Sequence, residues 1–107
     1  MFVIKIFNEY LHSPIWTYGE DGIVTYDPPI IENDVALQAL CDHAAEMFTG
    51  YYEFDSHDQP CWFNYEKEKA DKDLMLSIIE KIKERLEEIN DGSFTIEDLE
   101  TSRLNNL

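Results

Sequence analysis

Basic residues are what this chain has least of. Among its 107 residues, Lys and Arg number 8 against 23 Asp and Glu, a formal net charge of −15, and no Lys or Arg stands between Lys5 and Lys67. That interval holds 12 carboxylates, from Glu9 to Glu66. Such a field repels nucleic acid and anionic membranes, so direct binding to either is not expected. Glycine is scarce as well: Gly19, Gly22, Gly50 and Gly92 are the whole supply, and no GxGxxG, Walker loop, GxSxG, HExxH or CxxC occurs. A phosphate-cradling loop is thereby disfavoured. No apolar run approaches the roughly 20 residues that span a bilayer. The opening MFVIKIF is too short for the apolar region of a secretory signal and has no cleavage-type sequence after it. A cytoplasmic location is the resulting expectation. Cysteine is limited to Cys41 and Cys61, which a reducing compartment keeps as free thiols.

What the chain does have is enough apolar substance for one core. Hydrophobic residues make up 44%, and 14 of the residues are Phe, Tyr or Trp, a composition that disordered acidic chains lack. One domain over 1–107 is expected. FVIKIF at 2–7 is β-branched and aromatic, the composition of a strand. IWTY and IVTY flank Gly19-Glu20-Asp21-Gly22 and predict a hairpin that Asp27-Pro28-Pro29 ends. Leu37, Leu40, Cys41, Ala44, Met47 and Phe48 recur at helical spacing behind Asn33 and Asp34, predicting a helix over 34–49. YYEF and CWFNY, joined by the turn formers of 55–60, predict a second hairpin. A longer helix opens at Asp71, or as early as Asn64. It carries the stripe Met75, Ile78, Ile79, Ile82, Leu86 and Ile89 and ends at Asn90-Asp91-Gly92. Phe94, Ile96 and Leu99 suit an edge strand while Thr95-x-x-Asp98 suits a capping box; a short strand with a frayed tail from about 101 is the expectation. The sum is an α+β fold, an antiparallel β-sheet built from hairpins with two amphipathic helices packed on one face. Such a sheet leaves its other face to a partner.

The stretch Gly50–Glu66, GYYEFDSHDQPCWFNYE, concentrates both excesses. Tyr51, Tyr52, Trp62 and Tyr65 are the anchor types that dominate interface energetics, and Glu53, Asp55, Asp58 and Glu66 complement Lys and Arg on a basic partner. A domain this small spends about half of its rings on the core. Tyr51, Tyr65 and the loop carboxylates are the ones expected to face outward. Glu20 and Asp21, at the first hairpin tip, are a second and weaker docking candidate.

Competing chemistry rests on less. Cys41, His43, His57 and Cys61 are the right residue types for zinc. Yet His43 stands about 200° around the helix from Cys41, and Cys41 falls on the apolar stripe, so no metal and no cofactor is expected. Acid–base catalysis by His12, His43 or His57 has no support beyond adjacency to carboxylates, which surround every histidine here by abundance.

In size, charge and surface chemistry the chain resembles immunity proteins and antitoxin-type inhibitors of bacterial nuclease toxins, and Tyr51-Tyr52 among acids is similar to the tyrosine pair of DNase-colicin immunity proteins. Those are four-helix proteins, from which the strand signals here depart. The resemblance implies a non-enzymatic inhibitor that covers the basic active-site cleft of a nuclease toxin, with charge setting the on-rate and the aromatic anchors the off-rate. Two other functions fit the composition: a phage-type DNA mimic that blocks a restriction or CRISPR nuclease, and a small metal-binding or hydrolytic domain.

Overall fold

Phe2–Ile6 forms β1 and Ile15–Tyr18 forms β2, paired antiparallel with Val3 opposite Tyr18 and Ile6 opposite Ile15. Alternation sends Ile4 and Ile6 of β1, with Ile15 and Thr17 of β2, inward, and leaves Val3, Lys5, Trp16 and Tyr18 on the other face. The structure, a computed structural model, describes residues 1–56 and 59–107. Its elements run onward as α1 (Pro29–Glu32), α2 (Val35–Thr49), β3 (Tyr52–Ser56), β4 (Gln59–Phe63), α3 (Tyr65–Ala70), α4 (Lys72–Ile89), β5 (Phe94–Asp98) and α5 (Glu100–Asn105).

The fold is α+β, with a three-stranded sheet ordered β2-β1-β5 and a separate two-stranded ribbon of β3 and β4. Expectation and structure part in three places. β5 joins β1 parallel, Phe2 facing Phe94 and Ile6 facing Asp98, so the larger sheet is mixed. The α4 helix returns the chain to the starting end of β1, which makes the parallel edge the short route. IVTY does not become a strand: Val24 makes one isolated bridge to Tyr18, and Pro28-Pro29 follows too closely for the ladder to extend. Pro29 instead sits in the first turn of α1, where its missing N–H costs nothing. The tail from 101 is not frayed; α5 forms and buries Leu104 completely.

Caps account for the helix boundaries. The Asp34 carboxylate accepts from Leu37 N at 2.8 Å and starts α2. Asn64 caps α3 through Lys67 N at 3.0 Å, and Asp71 breaks α3 from α4, so both starts foreseen for the second helix exist. Asp98 Oδ1 accepts from Glu100 N and Thr101 N, each at 3.0 Å, which ends β5 and begins α5. Gly92, at φ +92°, makes the turn between α4 and β5 that a side chain would strain. The core lies between the inner face of β1 and β2 and the stripes of the two long helices, with Leu37, Cys41, Ala44 and Phe48 of α2 against Met75, Ile79, Ile82 and Leu86 of α4. Among the described residues, no helix is long and apolar enough to cross a membrane.

Candidate interaction surface

The β3–β4 ribbon carries the aromatic and acidic stretch, and its register decides which rings meet. Tyr52 stands opposite Phe63 and Phe54 opposite Cys61, while Glu53 stands opposite Trp62. Period-two alternation therefore puts Tyr52, Phe54, Cys61 and Phe63 on one face and Glu53 with Trp62 on the other. The first face continues the core outward. Phe48, at the end of α2, meets Phe63 at a centroid distance of 5.5 Å and Tyr51 at 6.1 Å. Phe63 meets Tyr52 edge-on at 5.0 Å and Tyr65 at 4.7 Å, and Tyr10 closes on Tyr52 at 4.6 Å. These edge-on and tilted geometries are those aromatic pairs prefer. The cluster starts buried at Phe48 and Tyr51 and surfaces at Tyr65, 71% exposed, and Phe54, 55% exposed.

Tyr51 corrects the sequence reading. It is 1% exposed, its hydroxyl donates to Asp71 at 3.1 Å, and burial beside that carboxylate pushes its pKa well up, so it is a core residue and not an outward anchor. Its N–H and C=O tie it between α2 and α3, since Tyr51 N donates to Phe48 O and Tyr51 O accepts from Asn64 N. Tyr65 faces outward as expected; Tyr52 and Trp62 are half-buried. The expected carboxylates divide. Glu66 is exposed and Glu53 half-buried. His57, Asp58 and the side chain of Asp55 lie outside the described residues. Glu20 and Asp21 are exposed at the other hairpin, away from the ribbon in sequence and sheet, and Glu20 Oε1 accepts from the N-terminal ammonium at 2.5 Å.

Several cations are held by their own partners: Arg85 grips Asp34 and Glu88, Lys83 lies 3.9 Å from Asp98, Lys5 sits 4.5 Å over the Tyr18 ring, and Arg103, which grips Glu68 and Glu100, lies at the buried inner end of the cluster over Phe48. Lys67 Nζ is spent on Gly50 O at 3.4 Å. Glu53 takes its hydrogen bond from the neutral amide of Asn64 at 2.8 Å, which orients the carboxylate without neutralising it. Among the described residues, Glu9, Glu53 and Glu66 make no ion pair.

Tyr10 and Phe48 were missed as members of this surface. Tyr10 sits in the irregular 7–14 connection, where no periodicity assigns a face, and Phe48 reads as an ordinary stripe residue. Phe54 shares the ribbon face of Tyr52 and Phe63 yet is 55% exposed, because the ribbon carries it past the buried end of the cluster. For the zinc alternative, Cys41 is fully buried on the inner side of α2 and His43 is exposed on the outer side, while His57 lies outside the described residues. Burial pushes the Cys41 thiol up to about 12, against thiolate ligation. Among the described residues, no group of three His, Cys, Asp or Glu is placed to hold a metal ion. No protein-family model matches the chain, and no curated protein matches it.

Proposed function

We propose that this protein is a small acidic binding protein of the cytoplasm that inhibits one basic partner, a nuclease toxin, by covering the cleft through which its substrate enters. The observation that carries this reading is the aromatic cluster that surfaces at Tyr65 and Phe54, while the exposed carboxylates Glu9 and Glu66 make no ion pair among the described residues. A nuclease cleft is basic because it must hold phosphates, and an acidic patch with rigid aromatic anchors complements it. The carboxylates speed encounter and the rings slow release. The protein performs no chemistry of its own in this reading. Mimicry of nucleic acid has less support, because the carboxylates on the outer side of α4, Glu80, Glu84 and Glu88, are interrupted by Lys81 and Arg85.

The test is capture from a lysate of the source organism on the immobilised chain, washed at low and then high salt. A single basic polypeptide retained at high salt, whose purified nuclease activity stops at one equivalent of this protein, supports the proposal. A salt-labile mixture, or a retained partner with no activity to inhibit, removes it. Tyr65→Ala should release the partner faster without changing the encounter rate.

A further inference from the structure

The segment Ile23-Val24-Thr25-Tyr26 has the composition of a strand but, among the described residues, no partner on one side. Its inner edge is held by Gly19 N donating to Ile23 O at 3.0 Å and Thr25 N donating to Thr17 O at 2.8 Å. In an antiparallel pair these bonds turn the N–H and C=O of Val24 away from β2, toward solvent. Among the described residues, nothing bonds the backbone N–H or C=O of Val24 or Tyr26. The side chains are equally unclaimed: Ile23 is 66% exposed and Tyr26 93%.

Where this segment parts from β2, a cleft of about 320 Å³ opens, and Leu11, His12, Trp16, Val24, Tyr26 and Asp27 are among the residues that line it. Leu11 stands at its rim in the left-handed region, φ 55°, a conformation that a leucine adopts at a cost. Asp27 receives only the Thr17 hydroxyl, at 2.5 Å, and no cation among the described residues. Trp16 stacks with Phe7 at 4.7 Å and with His12 at 3.6 Å, so it offers the cleft a rigid wall.

We propose that residues 23–26 form an edge to which an extended basic segment of a partner adds as a strand, with one of its Arg or Lys side chains entering the cleft to pair with Asp27. Strand addition draws affinity from main-chain hydrogen bonds and specificity from pockets for alternate side chains, and both elements are present here. A second copy of this chain is the wrong occupant. Its net charge of −15 and the Glu20-Asp21 tip would set carboxylates against carboxylates. The sign of the partner's charge rests on the function proposed above; the open edge does not, and it lies beside β2, whereas Tyr65 opens α3.

The test uses the full chain, isotopically labelled, titrated at low salt with an acetylated and amidated hexapeptide of alternating Thr and Arg. A peptide with Glu in place of Arg is the control. Saturable shifts confined to residues 23–27 and the Trp16 indole are expected, with slowed amide exchange at Val24 and Tyr26. Val24→Pro, which removes an outward-facing N–H at an exposed position, and Asp27→Asn should each weaken binding about tenfold. Shifts centred on Tyr65 and Phe54, equal binding of the Glu peptide, shifts that track self-association, or parental affinity in both variants would overturn the inference. Capture of a toxin can fail while the peptide still binds at 23–27. A captured toxin that binds Val24→Pro like the parent sinks this edge alone.

Discussion

Arg103 holds two carboxylates at once: its Nη2 lies 2.7 Å from Glu68 Oε2 and 2.5 Å from Glu100 Oε2, and both acids are almost wholly buried. Asn8 Nδ2 donates to Glu100 at 3.0 Å, and the guanidinium sits 5.8 Å over the Phe48 ring. One cation thus joins α3, α5, the end of β1 and the inner end of the aromatic cluster.

Removing that cation leaves two buried negative charges facing each other. Arg103→Met should destabilise the fold by about 2–3 kcal/mol, below the usual range for a broken buried pair because the Arg103 side chain is 40% exposed. Adding Glu68→Gln and Glu100→Gln to Arg103→Met should recover part of that loss. Urea denaturation of the three proteins measures it, and a neutral Arg103→Met would mean that the carboxylates find water.

Asp34 sets an acid dependence. The Arg85 guanidinium and the Leu37 amide hold its carboxyl below the usual carboxylate range. The folded state thus keeps Asp34 ionised where the unfolded chain has begun to take up a proton. Its contribution is complete above about pH 4, the ordinary pKa region, and is lost as pH falls through the lower folded value. Asp34→Asn should be less stable at pH 7 and should lose less on acidification than the parent, read from thermal midpoints between about pH 2 and pH 7.

The two thiols should separate cleanly. Cys61 is exposed, whereas Cys41 is buried on α2 with its pKa pushed up to about 12. Ellman's reagent at pH 8 should label one thiol per native chain and the second only on unfolding. Two fast thiols would show that α2 opens readily.

Neighbouring tyrosines should answer differently to the same truncation. Tyr51→Ala empties a core position and should cost about 3–5 kcal/mol, as large aromatic deletions do. Tyr65→Ala should stay within about 0.5 kcal/mol of the parent, since it removes an exposed ring. Calorimetry of both proteins checks the pair, and loss of partner binding by the Tyr65→Ala protein at parental stability separates docking from folding.

Gly92 offers a backbone control. At φ +92° with open space around it, Gly92→Ala meets no steric neighbour, so its cost is conformational alone. About 1–2 kcal/mol of destabilisation is expected in chemical denaturation.

The sequence by itself determined the α+β class, the two long helices and the β3–β4 hairpin, because helical and strand periodicities and caps such as Asp34 and Asn64 act within a few residues. It also marked Cys41 as inward, since a residue on an apolar stripe has its side fixed by local geometry, whereas Tyr65, read as part of the strand run CWFNY, opens α3 instead. Tertiary structure decided the rest. Tyr51 and Tyr65 have the same side chain in the same stretch, and only the packing of Phe48 and Asp71 around Tyr51 buries one of them. IVTY has the composition of a strand, but a strand exists only where another chain segment supplies its hydrogen bonds, and among the described residues nothing bonds its outer edge. The parallel docking of β5 and the capture of α5 by Arg103 depend on contacts between residues far apart in sequence, which no local pattern encodes.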